Sequence, residues 1–156
     1  MATHRFPFMR IGAGYRLQPT LPLTLRNPQN DLECEAIALI DTGADRSLLP
    51  EHIAKSVGHD PYDSGLDRHS VSGIGGAVTV VTLPFDLLVW PAGAQARETK
   101  PVLHLSNIEL DVQLARSGAD KWIMQGHPVI LGQDDFLGRY IWTLDYPNAA
   151  LVLRVP

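Results

Sequence analysis

The chain has 156 residues, of which 45% are hydrophobic and 19% are charged, and its formal net charge at pH 7 is −4. This composition is typical of a globular protein, and the length is sufficient for one domain with a buried core. The negative charge gives no electrostatic reason to expect a nucleic acid partner, and the single cysteine, Cys34, excludes an internal disulfide framework and a cysteine-rich metal site.

The sequence contains no segment that predicts membrane insertion or export. The longest apolar stretch, residues 77–90, is interrupted by Thr79, Pro84 and Asp86, and it is too short and too polar to span a bilayer. Residues 1–10 contain basic side chains but no apolar run of the length found in signal peptides. We therefore expect a soluble, cytoplasmic protein without a membrane partner.

The first forty residues predict short strands joined by turns. Twelve prolines and thirteen glycines are spread throughout the chain, which argues against a helical bundle. Residues 1–30 are expected to form an N-terminal extension or edge strands, because residues 21–25 alternate in polarity around Pro22. Residues 34–41 predict a strand that becomes fully buried near its end.

The periodicity then changes to that of a helix. Residues 47–57 place apolar side chains at roughly helical spacing, with Ser47 as a possible N-cap and Gly58 just beyond the end. Residues 59–68 predict a surface loop. Residues 70–90 predict a hairpin with a glycine-rich tip, because a Val- and Thr-rich run follows three closely spaced glycines.

The last third of the chain again favours strands. Residues 102–114 predict one or two strands, and residues 129–132 predict a short buried strand. Residues 133–138 then predict a short helix, and the chain closes with a hairpin around Pro147. We therefore expect residues 1–156 to form a single, mainly β domain with one or two short helices.

Three separated segments form a pattern that suggests chemistry. Residues 37–45 run an apolar strand directly into Asp41, Thr42 and Gly43. A carboxylate at the end of a buried strand needs hydrogen bonds or a shared charge, and the tripeptide supplies a hydroxyl and a flexible backbone. Taken alone, this tripeptide also fits an ordinary strand-ending turn. The second segment is the glycine-rich hairpin tip, and the third is the apolar strand ending at residues 130–132.

In this order, the three segments resemble the motifs of the retropepsin-like aspartic proteases, a single-lobe family that includes retroviral proteases and related bacterial enzymes. The resemblance covers most of residues 33–154 and implies a closed β-barrel-like fold. It also implies that the hydroxyl of Thr42 braces the paired active-site loops and that the hairpin is a flap over the substrate. The implied site consists of catalytic Asp41, Thr42 and Gly43, and substrate-binding Ala44, Asp45, Gly73, Ile74, Gly75 and Gly76.

The chemistry of this family predicts a homodimer. Hydrolysis of an amide by water uses two carboxylates that lie close together and share one proton. The chain has one suitable motif, so the second Asp41 is expected from an identical subunit across a twofold axis.

Residues 63–65, Asp-Ser-Gly, have no apolar strand leading into them and are interpreted as a surface turn. Ala44 lacks the hydroxyl that pepsin-like enzymes commonly place there, which predicts a mildly acidic to neutral working pH.

The third segment departs from the family pattern. Retroviral members typically follow its glycine with Arg-Asn, and that arginine usually anchors a salt-bridge network near the dimer interface, whereas this chain has Gln133 and Asp134. In bacterial relatives the glycine is often followed by one residue and then by Asp-Phe-Leu. In this chain two residues, Gln133 and Asp134, separate Gly132 from Asp135-Phe136-Leu137, so the register of the following helix is not determined by the motif. Asp134 and Asp135 are interpreted as carboxylates that complement the dipole of the following helix.

The expected function is endopeptidase cleavage of an extended peptide or protein substrate, with no metal or organic cofactor. The six histidines show no paired spacing such as His-x-x-x-His, and the hairpin glycines lack the lysine and the helix of a phosphate loop. An alternative from another class is a catalytically inactive retropepsin-like module for peptide binding or dimerisation.

Overall fold

The structure is a computed structural model that describes residues 1–11, 16–73, 76–93, 99–116 and 127–156. Its strands are β1 (Ala2–Pro7), β2 (Thr20–Arg26), β3 (Glu33–Ile40), β4 (Leu48–Pro50), β5 (His69–Gly73), β6 (Gly76–Val89), β7 (Leu103–Gln113), β8 (Val129–Leu131), β9 (Ile141–Asp145) and β10 (Ala150–Val155). Helix α1 spans Glu51–Ser56, and a 3-10 helix spans Leu137–Arg139. The predicted mainly β fold with short helices is confirmed. Within these ranges, no helix is long and apolar enough to cross a membrane.

Six of the described strands close into a barrel, as predicted. The hydrogen-bonded order is β2–β3–β8–β4–β7–β6, and β2 closes the ring by pairing with β6. The prediction of an edge strand for residues 21–25 is therefore wrong. Proline has no N–H group to donate to a neighbouring strand. Pro22 is tolerated because it has a partner on one side only: it lies opposite Ile37 of β3, and pairing of β2 with β6 begins one residue later, at Leu23.

The barrel places the ends of β3 and β8 next to each other. These strands pair in parallel, with Ile40 opposite Leu131, and both side chains are buried. Because the carboxyl ends of parallel strands lie at the same edge of a sheet, Asp41 and Gly132 leave the barrel side by side. The burial predicted for the end of the third strand is confirmed by Ala38 and Ile40.

The predicted helix over residues 47–57 is wrong in its first half. Leu48 pairs with Asp111 of β7 and with Ile130 of β8, so residues 48–50 form strand β4 inside the barrel. The helix begins only after Pro50, which is its N-cap residue. Pairing with two neighbouring strands overrides the helical spacing of the apolar side chains.

A second sheet joins the chain termini in the order β1–β10–β9. Its inner face buries Phe6, Leu151 and Leu153, which belong to the same hydrophobic cluster as the barrel core. The indole ring of Trp142 packs on the ring of Phe136, with the centroids 5.2 Å apart. This contact connects β9 to the segment that follows β8.

The long strand β6 pairs antiparallel with β5, and Gly73 lies opposite Gly76 in their last described pair. Gly76 has a φ of +102°, which favours glycine. The two remaining residues of the predicted tip, Ile74 and Gly75, lie outside the described residues.

One histidine, His59, is buried and makes a hydrogen bond and a ring contact. The His59 Nε2–H group donates to the Pro84 carbonyl oxygen at 2.8 Å, and the imidazole ring packs edge-on against Phe85. Burial lowers the pKa of His59, and the hydrogen bond to Pro84 opposes this effect only in part. The fold therefore favours the neutral imidazole.

We predict that the protein loses stability as the pH falls from about 7.5 to about 5, because the unfolded chain takes up a proton at His59 near pH 6.5 before the folded chain does. Urea unfolding should show a smaller loss for His59→Gln, which retains a side-chain N–H donor. His52, whose pKa burial also lowers, remains in both proteins and sets the background. An identical pH dependence for both proteins would contradict this prediction.

Candidate active site

Asp41 begins a tight turn immediately after β3. The Asp41 N–H group donates to the Leu131 carbonyl oxygen at 3.1 Å, and the Ala44 N–H group donates to the Asp41 carbonyl oxygen at 3.2 Å. The Gly43 N–H group donates to Asp41 Oδ1 at 2.9 Å. A Cβ atom on Gly43 would lie 3.3 Å from the same oxygen, so glycine gives the carboxylate room. Asp41 is half-buried, whereas Thr42 and Gly43 are exposed.

The loop that carries Asp41 is held by three consecutive backbone N–H groups after β8. The Gly132 N–H group donates to Ser47 Oγ at 2.9 Å. The next two N–H groups, of Gln133 and Asp134, donate to the carbonyl oxygens of Ala44 and Asp45 at 2.9 and 2.8 Å. The predicted site residues from Asp41 to Asp45 therefore lie together in one loop, and the backbone of residues 132–134 is hydrogen-bonded to it.

Gly132 is required at this position because the two segments approach so closely. A Cβ atom there would lie 2.5 Å from the carbonyl carbon of Arg46 and 2.9 Å from the carbonyl oxygen of Ala44. Both of these atoms belong to the backbone, which cannot rotate away as a side chain would. The glycine therefore sets the distance between the loop that carries Asp41 and the barrel.

Asp135 fixes the far end of the loop. Its two carboxylate oxygens accept the Ser47 N–H group at 3.1 and 2.9 Å, and Oδ1 also accepts the Ser47 hydroxyl at 2.5 Å. Asp135 is 8% exposed, whereas Asp134 is exposed. The extra residue before Phe136 is therefore accommodated with Asp134 at the surface. The interpretation of Asp135 as a helix-dipole carboxylate is wrong, because its carboxylate binds Ser47.

A second buried carboxylate connects the loop to the β5–β6 hairpin. Asp111 accepts two hydrogen bonds from the guanidinium of Arg46, at 2.9 and 3.2 Å, and one from the hydroxyl of Thr82 at 2.9 Å. The hydrogen bond with Asp111 is the main reason why the pKa of Arg46 is raised. Because Thr82 belongs to β6, Asp111 anchors both the base of the hairpin and the end of the loop that carries Asp41.

The anchoring roles of four residues are not predicted by the sequence: Arg46, Ser47, Asp111 and Asp135. Each forms its bond with a residue far away in the chain, so local pattern gives no pairing signal. The available signal was the presence of charged residues inside apolar strand patterns, such as Asp111 within residues 108–114.

The predicted surface turn at residues 63–65 is confirmed, and it has the same local geometry as the turn at Asp41. The Gly65 N–H group donates to Asp63 Oδ1 at 2.7 Å, and the Leu66 N–H group donates to the Asp63 carbonyl oxygen at 3.1 Å. Asp63 is exposed, and no strand leads into it. Local turn geometry therefore does not distinguish the two aspartates.

Potential metal ligands are scattered through the part of the chain that the structure describes. There, no group of three or more His, Cys, Asp or Glu side chains is close enough together to hold a metal ion.

We predict that Gly132→Ala lowers the free energy of unfolding by about 1–3 kcal/mol, because the new methyl group overlaps the backbone of the loop that carries Asp41. Gly73→Ala is the matched control, since no atom lies within 4 Å of a Cβ built there. Urea denaturation measures both variants, and equal stabilities would contradict the close approach.

The neighbouring aspartates should differ in their contribution to stability. Asp135→Ala leaves the buried N–H and hydroxyl groups of Ser47 without their acceptor, and it should cost about 1–3 kcal/mol more than Asp134→Ala. Thermal or urea unfolding of the two variants checks this difference. A larger cost for Asp134→Ala would show that Asp134, and not Asp135, is the carboxylate that binds Ser47.

Comparisons with known proteins agree with this architecture. No family model and no curated protein matches the sequence. A retropepsin-like aspartic protease from Rickettsia conorii superposes with a TM-score of 0.58 at 16% identity, and the match covers 98% of this chain and 99% of that chain. The EIAV protease complexed with the inhibitor HBY-793 gives 0.49 at 18% identity, covering 83% and 94%. The likeness to the Rickettsia conorii protein shows that the chain has the retropepsin-like fold.

Proposed function

We propose that this protein is an aspartic endopeptidase whose catalytic centre forms from Asp41 of two identical chains. The observation that carries the proposal is the placement of Asp41 within a retropepsin-like fold. Its carboxylate lies at the end of a barrel strand, accepts the Gly43 N–H group and sits in a loop fixed by Gly132. A carboxylate on such a braced turn is suited to a fixed catalytic geometry.

The second aspartate comes from a partner chain in this proposal. Thr42 and Gly43, at the tip of the turn, are exposed in the single chain, so a second copy can approach the carboxylate there. An isologous contact about a twofold axis brings the two Asp41 side chains together. The hydroxyl of Thr42 then braces the paired loops. Each chain contributes residues 1–156 as one domain.

The reaction uses the two carboxylates as base and acid. One ionised Asp41 takes a proton from water, and the resulting hydroxide attacks the peptide carbonyl carbon. The protonated Asp41 of the other chain donates its proton to the carbonyl oxygen, which gives a neutral tetrahedral diol. Collapse of the diol then breaks the C–N bond: the Asp41 that took the proton from water gives it to the departing amine nitrogen, and the other Asp41, now ionised, takes a proton from one diol hydroxyl, which restores the starting protonation of the pair. The chemistry uses no metal or organic cofactor.

The substrate in this proposal is an extended peptide that binds as an added strand. In this proposal Gly73 and Gly76, at the described end of the β5–β6 hairpin, contact the peptide from the flap side, and Ala44 and Asp45 contact its backbone. Asp111 supports this arrangement because it connects the base of the flap to Arg46, the residue after Asp45. The hydrogen bonds of Asp111 therefore hold the base of the flap at a fixed distance from the loop that contacts the substrate in this proposal.

We predict that Asp41→Asn lowers peptide cleavage by about 10²–10⁴-fold, because an amide cannot take a proton from water at this position. Asp63→Asn is the matched control: Asp63 occupies the same kind of turn, but it lies at the surface, and its loss should leave cleavage unchanged. Profiling against a peptide library at several pH values measures both variants.

The outcome of that experiment also decides between function classes. If the wild type and Asp41→Asn are equally inert between about pH 4 and about pH 7, the range in which a carboxylate pair works, the endopeptidase proposal is wrong. A protein that binds library peptides without cleaving them would be a peptide-binding module.

A further inference from the structure

Gln133 contacts the active-site loop at two points. Its backbone N–H group donates to the Ala44 carbonyl oxygen at 2.9 Å. Its side-chain amide, through Nε2, donates to the carbonyl oxygen of Thr42. The backbone bond fixes the position of the residue, so the exposed side chain can reach the turn that carries Asp41.

The side-chain contact acts on the same peptide group that binds the candidate catalytic carboxylate. The Thr42 carbonyl and the Gly43 N–H belong to one peptide bond, and that N–H group donates to Asp41 Oδ1 at 2.9 Å. A donor on the carbonyl side polarises the peptide and makes its N–H group a stronger donor. It also fixes the rotation of the peptide plane, because both ends are hydrogen-bonded.

We propose that Gln133 is a positioning residue for Asp41, acting through the Thr42–Gly43 peptide group. A role of Gln133 in catalysis rests on the proposed function. The relay, by which we mean the hydrogen bonds from Gln133 to the Thr42 carbonyl and from the Gly43 N–H group to Asp41, does not. Hydrogen bonds to an ionised carboxylate favour the ionised form, and one ionised Asp41 is the base that activates water. Gln133 therefore holds that base in the orientation in which it can take a proton from water.

The kinetic test compares Gln133→Met with Gln29→Met. Methionine has nearly the shape of glutamine but no N–H donor. Gln29 is an exposed glutamine in the turn between β2 and β3, at the other end of those strands from Asp41. Gln133→Met should lower kcat about three- to tenfold with little change in KM, and it should move the acid limb of the kcat/KM profile up by about 0.5 pH unit. Gln29→Met should match the wild type.

A rescue variant separates positioning from a general structural effect. Gln133→Arg retains donors that can reach the Thr42 carbonyl, so it should recover most of the lost kcat. If Gln133→Met lowers activity without moving the pH profile, and Gln133→Arg fails to restore it, the relay is wrong.

A second measurement tests the relay without using activity. In ¹H–¹⁵N NMR spectra, loss of the donor at residue 133 should move the Gly43 amide resonance upfield and speed its hydrogen exchange, because its hydrogen bond to Asp41 weakens. Gln29→Met should leave that resonance unchanged. An unaffected Gly43 amide in Gln133→Met overturns the inference even if the enzyme is active. If the wild type cleaves nothing but the resonance moves, the relay stands and the proposed function fails.

Discussion

The backbone of Gly132 lies against the loop that carries Asp41 more closely than any side chain would permit. Parallel pairing of β3 with β8 brings the two segments to the same edge of the barrel. The consecutive N–H groups of residues 132–134 then hold the loop. The geometry at Asp41 is therefore determined by the barrel core, because any shift of β8 would move all three donors together. This dependence explains why the site needs a glycine away from the turn itself.

The turns at Asp41 and Asp63 show what the barrel adds to a local motif. Both aspartates accept the N–H group of the glycine two residues later, at 2.9 and 2.7 Å. Such a turn forms from local chemistry alone, since the side-chain oxygen of aspartate mimics a backbone acceptor. Of the two, only Asp41 follows the buried end of a strand and donates its own N–H group to a neighbouring strand. The local tripeptide provides the hydrogen bond from the Gly43 N–H group to the Asp41 carboxylate, whereas the tertiary structure fixes the position of Asp41 in the fold.

Elements with a strong local pattern were predictable from the sequence, whereas long-range contacts were not. The buried ends of β3 and β8 follow from their apolar runs. Strand β4 was predicted as helix because its two leucines also fit helical spacing, and pairing with β7 and β8 decided the outcome. The bonds from Ser47 to Asp135 and from Arg46 to Asp111 join residues 88 and 65 positions apart, which no local pattern encodes. Gln133 is visible in the sequence as a departure from the family motif, but its contact with Thr42 joins residues 91 positions apart, which no local pattern encodes.

We propose that one active site is shared by two chains, each of which supplies Asp41. The most direct test mixes wild-type protein with Asp41→Asn at constant total concentration and lets the subunits exchange. Mixed dimers contain a single aspartate and are inactive, so activity should fall with the square of the wild-type fraction, to about one quarter in an equal mixture. A decline in direct proportion to the wild-type fraction would show that each chain acts alone and would contradict the account.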